Sequence, residues 1–431
     1  MPESDSEDAK TGEEEESINL TGQTLQAAAR LGNTRLVQLL LAAGADVNDV
    51  SAGQTPLYCA AVAGHVPVAC QLLRARADVD EASFESSCAR LERTGCQQHI
   101  FPTIDISPFV SPGNKEDDKL RKQTAQVWDE VFRTTGFGVI SGHDVGRDVI
   151  EGLVQGIRRF FARSHEYKMQ YNNGPILSNK SGYAPIGGAP DPFEGYTLVR
   201  RHGARWSSGE RHPPELGAVL EKYAYAVERV MHAVNRMSAV ALDMDMLYFD
   251  QFYRSPASVL VVNYYPSPDS LRGKGYESLE KRRRRYRPHS DYTGFTILLQ
   301  DSGDHNDGSG GLEIDIADSW VPVHPREHCF VVNIGDYFEN WTNARWRSTP
   351  HRVTAPELGS AANARPRISV ALFTGPDLDA IVEPIPTCVN AKNPPLFKPA
   401  PARDLLVSNA TTRSKEAIYE MQEAMEARRA G

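Results

Sequence analysis

The segment from residue 248 to 385 constrains the fold most, because short apolar stretches follow one another there with turn-forming residues between them. "ASVLVVNYYP", "FTILLQD", "VVNIGDYF" and "RISVALF" are separated by Gly, Asp, Asn and Pro. Strands at this density predict a double-sheet or barrel core rather than a parallel α/β sheet. Helical patterns lie mostly before residue 248, so we expect an α+β fold in which a helical annex covers the β core.

Two segments with a common pattern precede this region. "TLQAAARLGNTRLVQLLLAAGADVN" (residues 24–48) and "TPLYCAAVAGHVPVACQLLRARADVD" (residues 55–80) align at an offset of 32 residues. Both place apolar residues at helical spacing, and both close on Ala-Asp-Val. This spacing, with its TPLxxA helix start, resembles ankyrin repeats, which implies a short all-α segment over residues 21–82. Two repeats are fewer than a free-standing stack needs, so we expect them to dock a protein partner or the next domain.

The flanking segments have the composition of leaders and linkers. Residues 3–16 hold eight acidic side chains against Lys10, which predicts a solvated, disordered leader over residues 1–20. Residues 83–98 are expected to form a linker. Residues 386–431 form a C-terminal extension, in which Ile418, Met421 and Met425 fall on one helical face.

Composition narrows the classes of protein to consider. The formal net charge of −9 does not indicate nucleic-acid binding, and no apolar run is long enough to cross a membrane. The six cysteines are scattered without CxxC spacing, which is typical of free thiols in a reducing compartment, so we expect a cytoplasmic protein. The basic run at residues 281–287, "KRRRRYR", leaves a nuclear location open. A solvated loop is the favoured interpretation of this run, and attraction of an anionic substrate is a third.

Two polar residues begin one of the strand-like stretches. In an extended strand, residues i and i+2 point to the same side, so His289 and Asp291 are expected to share a face with Phe295, Ile297 and Leu299. An imidazole and a carboxylate on one face can supply two ligands to a metal. Because His-x-Asp is common by chance, two polar residues at a strand edge remain an alternative.

A third residue favours the metal. His351 follows Asp291 by 60 residues, at the start of another strand-like stretch. Two histidines and one carboxylate on one half of an octahedron are the ligand set of non-haem Fe(II) oxygenases, and they leave positions open for a co-substrate and O2.

Two further pairs have the chemistry of a carboxylate clamp. Arg367 and Ser369 are i and i+2 in "RISVALF", and Asn263 and Tyr265 are i and i+2 in "NYYP". An arginine fork matches a carboxylate with two parallel hydrogen bonds, and hydroxyl groups add more. These pairs therefore predict a site for a carboxylate, without saying which molecule carries it.

From about residue 99 to 385 the chain resembles the isopenicillin N synthase-like family of Fe(II)/2-oxoglutarate-dependent dioxygenases. The matching stretches stand in family order and include "FPTIDIS", "TGFGVISGH", "VNYYP", "HSDYTGFTILLQD", "GGLEI", "VVNIGDYFENWTNARWRSTPHRV" and "RISVALF". The resemblance implies a double-stranded β-helix (jelly-roll) core at 248–385, preceded by the helical and strand part of the dioxygenase at 99–247. It also implies a role for each candidate: His289, Asp291 and His351 bind iron, Arg367, Ser369 and Tyr265 hold the distal carboxylate of 2-oxoglutarate, and Asn263 lies near it.

The resemblance also implies an activity. Such an enzyme uses Fe(II), 2-oxoglutarate and O2, with ascorbate as a reductant, to hydroxylate, desaturate or cyclise a small molecule, and it releases succinate and CO2. Two alternatives stay open: an iron-dependent oxidase of the same fold that binds a substrate carboxylate instead of 2-oxoglutarate, and an inactive ankyrin-type interaction protein. Divergent or lengthened loops at residues 271–288, 301–310 and 354–366 prevent inference of the primary substrate. Residues 333–336, "NIGD", are expected to form a turn between strands.

Overall fold

The computed structural model describes most of the chain from residue 101 onward and parts of the segment before it. The described residues are 25–30, 34–49, 55–63, 68, 72, 101–111, 118–174, 180–186, 193–200, 206, 211–267, 284–301, 311–316, 319–355 and 365–412. The predicted leader, the linker, the helix around Ile418 and most of the three lengthened loops lie outside these residues. The chain divides into two compact units, Met1–Ile100 and Phe101–Gly431, which are described separately.

The first unit is built from short helices, as the repeat pattern predicts. Helices α1 (Leu25–Arg30), α2 (Thr34–Ala42) and α3 (Pro56–Ala63) pack around one apolar cluster, whose members are Leu25, Ala28, Ala29, Leu36, Val37, Leu40, Cys59, Ala60, Val68 and Leu72. Gly44 follows α2 with φ +85°, a conformation that favours glycine and stops the helix. In the second repeat, Thr55 Oγ1 accepts a hydrogen bond from Tyr58 N at 3.2 Å and caps the start of α3.

The second unit contains seven further α-helices among the described residues. They are α4 (Ser107–Val110), α5 (Asp118–Thr134), α6 (Arg147–Phe161), α7 (His165–Met169), α8 (Gly217–Ala241), α9 (Asp336–Trp341) and α10 (Ala402–Thr412). Short 3₁₀ turns occupy Tyr248–Phe252 and Pro386–Cys388. Across all the described residues, no helix is both long enough and apolar enough to cross a membrane.

The strands of this unit form two facing sheets and a separate two-stranded sheet. The strands are β1 (Thr103–Asp105), β2 (Phe137–Ser141), β3 (Gly182–Ala184), β4 (Glu194–Val199), β5 (Val259–Tyr265), β6 (Arg284–His289), β7 (Phe295–Gln300), β8 (Leu312–Ile316), β9 (Ser319–Pro322), β10 (Phe330–Ile334), β11 (His351–Thr354), β12 (Arg367–Phe373), β13 (Ile381–Val382) and β14 (Ala400–Pro401). The major sheet has the order β1-β2-β10-β7-β12-β5-β4-β3, and the minor sheet has the order β6-β11-β8-β9. Apart from the β1–β2 pair the ladders are antiparallel, and the predicted α+β fold with a jelly-roll core is confirmed.

The helices cover the outer face of the major sheet and leave its inner face free for a site. Helix α8 buries a continuous apolar stripe, and α5 contributes Trp128 and Phe132, which pack against Phe295 of β7. Along each central strand, residues that face the helices alternate with residues that face the minor sheet. Packing against the helices therefore fixes which residues of these strands point toward the minor sheet.

Candidate functional site

Three candidate metal ligands meet between the two sheets. His289 is the last residue of β6 and His351 is the first residue of β11, and the two stand directly opposite each other in the antiparallel ladder. Asp291 lies in the turn that follows β6. One donor atom from each residue lies within 4.8 Å of the others, and the Nε2 atom of each histidine is 3.8 Å from Oδ1 of Asp291. The structure therefore brings together residues that are 60 positions apart in the chain.

The expected strand alternation from His289 to Leu299 is wrong. Strand β6 ends at His289, so Asp291 reaches the site from a turn. After this turn, the side chains of β7 alternate in the opposite sense to the expected one. Phe295, Ile297 and Leu299 belong to the apolar core, whereas Thr296 and Leu298 line the cavity. The physical reason is that i, i+2 alternation holds only while the backbone stays extended.

Hydrogen bonds to the outer ring nitrogens prepare both histidines for a metal. Nδ1 of His289 lies 2.9 Å from the carbonyl oxygen of Arg287, and Nδ1 of His351 lies 3.2 Å from that of Thr349. Because a carbonyl oxygen only accepts, Nδ1 carries the proton and Nε2 presents its lone pair to the site. Burial, followed by the neighbouring His351, lowers the pKa of His289 to about 4, so its ring is neutral at neutral pH.

Asp291 is fixed in a similar way. Its Oδ2 accepts hydrogen bonds from Thr296 Oγ1 at 2.5 Å and from Asn333 Nδ2 at 2.7 Å, which leaves Oδ1 facing the imidazoles. Its backbone carbonyl accepts from Asp336 N at 3.0 Å. Burial alone would raise the pKa of Asp291, but the two imidazoles and the two side-chain hydrogen bonds hold it below its usual value. The carboxylate is therefore ionised and has one oxygen free for a cation.

The predicted carboxylate clamp lies in the same cavity. Arg367 stands opposite Tyr265 and Ser369 opposite Asn263 in the β12–β5 ladder, and all four residues line the cavity that contains the three ligands. Arg367 Nη1 lies 3.2 Å from Ser369 Oγ, and Nη2 donates to Oε1 of Gln300 at 3.0 Å. Arg367 is only 7% exposed, so its charge is available to a ligand that enters the cavity rather than to bulk solvent.

The remaining walls of the cavity are mostly apolar. They are formed by Phe137, Phe193, Val261, Leu298, Leu312, Val353, Ala371 and Phe373. Two aromatic rings also lie beside the histidines: Phe137 is 5.3 Å from the ring of His351, and Tyr286 is 4.6 Å from the ring of His289, between centroids. Such walls exclude water and suit a small molecule whose reacting part is apolar.

Three supporting residues were missed in the sequence. Thr296 and Asn333 hold Asp291, and Gln300 holds Arg367. Asn333 was expected in a turn between strands. That expectation is wrong, because Asn333 and Ile334 both lie in β10 and Asp336 begins α9. Strand alternation on β7 would have indicated Thr296 and Gln300 if the end of β6 had been placed correctly.

Comparisons with known proteins agree with this geometry. The family model of the 2OG-Fe(II) oxygenase superfamily matches residues 256–376, the model "non-haem dioxygenase in morphine synthesis N-terminal" matches 101–199, and "Ankyrin repeats (3 copies)" matches 9–83.

Similar proteins come from plants and fungi. Jasmonate-induced oxygenase 2 of Arabidopsis thaliana is 27% identical over 69% of this chain and 76% of that protein. The 2-oxoglutarate-Fe(II) type oxidoreductase hxnY of Emericella nidulans is 27% identical over 71% of this chain and 88% of that protein. The crystal structure of JOX2 in complex with 2OG, Fe and JA is 25% identical, with a TM-score of 0.57 over 70% of this chain and 83% of that one.

The fold, the site and these matches define an iron-dependent oxygenase. The chain belongs to the 2OG-Fe(II) oxygenase superfamily and carries ankyrin repeats ahead of the oxygenase part. It is a 2-oxoglutarate-dependent Fe(II) dioxygenase, and its cofactors are Fe(II) and 2-oxoglutarate. The oxidase that dispenses with 2-oxoglutarate and the inactive interaction protein are not favoured.

Proposed function

We propose that His289, Asp291 and His351 are the iron ligands of this dioxygenase. The observation that carries the proposal is the convergence of the two Nε2 atoms on Oδ1 of Asp291 at 3.8 Å, while the outer atoms of all three side chains are already hydrogen-bonded. Two imidazoles and one carboxylate are the donor set that Fe(II) takes in non-haem oxygenases. The three donors therefore fit this metal in their chemistry.

Arg367, Ser369 and Tyr265 hold the distal carboxylate of 2-oxoglutarate in this proposal, and Asn263 lies beside the co-substrate. The paired registers Arg367–Tyr265 and Ser369–Asn263 support this assignment, because they turn all four side chains toward one end of the cavity. A buried guanidinium with a fork of donors is complementary to a carboxylate.

These positions indicate what the cofactors contribute to the reaction and what the side chains of the protein contribute. Iron held by His289, Asp291 and His351, together with 2-oxoglutarate, would supply the oxidising chemistry with O2, and 2-oxoglutarate would leave as succinate and CO2. The chain's own residues do not supply redox chemistry. Their hydrogen bonds fix the ligand rings and the carboxylate, the clamp orients the co-substrate, and the apolar walls hold the substrate and exclude water.

The substrate class, the ankyrin partner and the compartment are finer proposals. We infer a small, mainly apolar substrate, because the cavity walls outside the clamp include side chains such as Phe137, Leu298 and Phe373. Named relatives include gibberellin 20 oxidases and validamycin A dioxygenase, whose names span dissimilar small molecules. The ankyrin segment at 21–82 docks a protein partner. The oxygenase comprises residues 99–247 and 248–385. The protein is cytoplasmic.

Succinate release tests the proposal. Purified protein with Fe(II), ascorbate, 2-oxoglutarate and a small-molecule extract is expected to form succinate, and His289→Ala should lower that rate by more than a hundredfold. His165→Ala is the matched control, since His165 is exposed on α7. Oxygen uptake that is independent of 2-oxoglutarate would contradict the proposal, as would equal succinate release by His289→Ala and the wild type.

A further inference from the structure

One arginine of the basic run at 281–287 is buried. Arg285 is 5% exposed, although a charge run of this kind is expected to form a solvated loop. It lies in β6, four residues before His289, and therefore in the wall of the double sheet that carries the proposed iron site. The side chain cannot serve as a surface charge.

The ladder explains how a basic residue turns inward here. In the ladder between β6 and β11, Val353 pairs with Tyr286 and Thr354 pairs with Arg284. The register shifts between these two pairs, and this shift leaves Arg285 without a partner residue in the ladder. Such a bulge bends the strand and re-aims the side chain of the extra residue.

The guanidinium of Arg285 lies beside Tyr265, one of the residues of the proposed clamp. Its Cζ is 5.9 Å from the ring centroid of Tyr265, and the Cζ of Arg367 is 5.2 Å from the same centroid. Burial, and then the like charge of Arg367, lower the pKa of Arg285 to about 10, which keeps it charged at neutral pH. Two buried cations therefore share one aromatic ring.

Nothing in the described parts of the chain balances this second charge. No acidic residue there forms an ion pair with Arg285, and its Nε is buried without a hydrogen-bond partner. A buried cation without an ion-pair partner and an unpaired donor both destabilise a fold. Since no acidic residue among those described supplies that partner, this site favours an anionic ligand.

We propose that Arg285 is a second cationic group for the distal carboxylate of 2-oxoglutarate, acting with Arg367 at the shared Tyr265 ring. The inference rests on the proposed function, in which that carboxylate binds at Arg367. A carboxylate offers about four acceptor positions, so it can accept from Ser369 and from both guanidinium groups. The paired cations select a 2-oxo acid with a charged far end over one with an apolar far end.

Binding of the co-substrate tests the inference without turnover. Equilibrium dialysis of 2-oxoglutarate against the anaerobic Fe(II)-loaded enzyme is expected to show a Kd about 10- to 100-fold higher for Arg285→Met. Arg352→Met, on the neighbouring strand, is the matched control and should stay within about twofold of the wild type. Arg352 pairs with Glu313 and stacks on Trp320, so its charge is already compensated. The affinity for 2-oxopentanoate, which has a methyl group in place of the distal carboxylate, should be unchanged in Arg285→Met.

Thermal stability separates a ligand-binding role from a structural one. Because Arg285→Met removes a buried charge that no described acidic residue compensates, the Tm of the ligand-free variant should rise, while the increase of Tm on adding 2-oxoglutarate should shrink. Arg285→Lys is a second variant that keeps the charge but not the fork, and its Kd should fall between those of the wild type and Arg285→Met. A lowered Tm together with an unchanged Kd would overturn the inference.

Arg367→Met distinguishes this inference from the function on which it rests. If neither Arg367→Met nor Arg285→Met changes the Kd for 2-oxoglutarate, the proposed clamp itself is wrong. If Arg367→Met raises the Kd and Arg285→Met does not, only the role of Arg285 is wrong. An effect of Arg285→Met on the KM of the primary substrate alone would also overturn the inference.

Discussion

Asn333 donates a hydrogen bond from Nδ2 to Oδ2 of Asp291 at 2.7 Å, and this contact leaves Oδ1 as the oxygen that faces both histidines. The bond crosses from β10 of the major sheet to the turn after β6. It therefore ties the orientation of the proposed iron-binding carboxylate to the rigid, helix-covered sheet.

Replacement of Asn333 should weaken metal binding more than it weakens the fold. Asn333→Ala leaves Oδ2 of Asp291 with Thr296 as its remaining side-chain donor, so the carboxylate can rotate. Losing an outer-shell partner of this kind typically lowers metal affinity about 10- to 100-fold. Anaerobic titration with Fe(II) measures the change. Asn340→Ala, at a half-buried position of α9, is the control, and an equal loss of affinity in both variants would contradict the role of Asn333.

Replacement of Gln300 should affect the co-substrate and spare the metal. Gln300 Oε1 accepts a hydrogen bond from Arg367 Nη2 at 3.0 Å and holds the guanidinium toward Ser369. Gln300→Leu removes this partner, and we expect KM for 2-oxoglutarate to rise about tenfold with little change in kcat at saturation. Steady-state kinetics with the exposed control Gln170→Leu checks this. A fall in kcat at unchanged KM would show that Gln300 does not act through the clamp.

The stability of the oxygenase unit should decline in mild acid because of His143. Nδ1 of this buried ring accepts from Val145 N at 3.2 Å, and Nε2 donates to the carbonyl oxygen of His328 at 3.1 Å. Burial, and then His328, lower the pKa of His143 from its usual 6.5 to about 4. Between these two pH values the unfolded chain binds more protons than the folded one, so stability is retained above pH 6.5 and falls as the pH drops toward 4.

Substitution of His143 isolates its contribution to the pH dependence of stability. His143→Asn should lose stability at pH 8, since the ring no longer stacks on Phe330, but its melting temperature should fall less steeply between pH 6.5 and 4 than that of the wild type. The exposed control His165→Asn should keep the wild-type slope. Parallel pH profiles for the wild type and His143→Asn would contradict the assignment.

Strand alternation and helical spacing predicted the direction of side chains correctly wherever the backbone stays regular. Alternation along an unbroken strand placed Arg367 and Ser369 correctly on one face of β12, and helical spacing gave the apolar faces of the ankyrin segment. The convergence of His289 with His351 is a long-range pairing between strands, which spacing alone cannot give. The types of the three residues, which match the ligand set of non-haem Fe(II) oxygenases, and the resemblance to a known family predicted it together.

The same rules failed where the backbone departs from regularity. The turn at Asp291 reset the phase of β7, and the bulge in β6 turned Arg285 inward. Neither change can be recognised from amino-acid composition. Turns often follow histidines, and an arginine within a basic run is common. Asn333 and Gln300 were missed for another reason: their partners, Asp291 and Arg367, are 42 and 67 residues away in the chain.

Metal stoichiometry in Asp291→Ala decides whether these three residues form the iron site. The wild-type protein should bind one tight Fe(II) per chain under anaerobic conditions. Asp291→Ala, with two imidazoles left and no anionic donor, should bind none at equimolar metal while it keeps its circular dichroism spectrum. Tight binding of one Fe(II) by a folded Asp291→Ala protein would contradict the assignment of His289, Asp291 and His351 as the iron site.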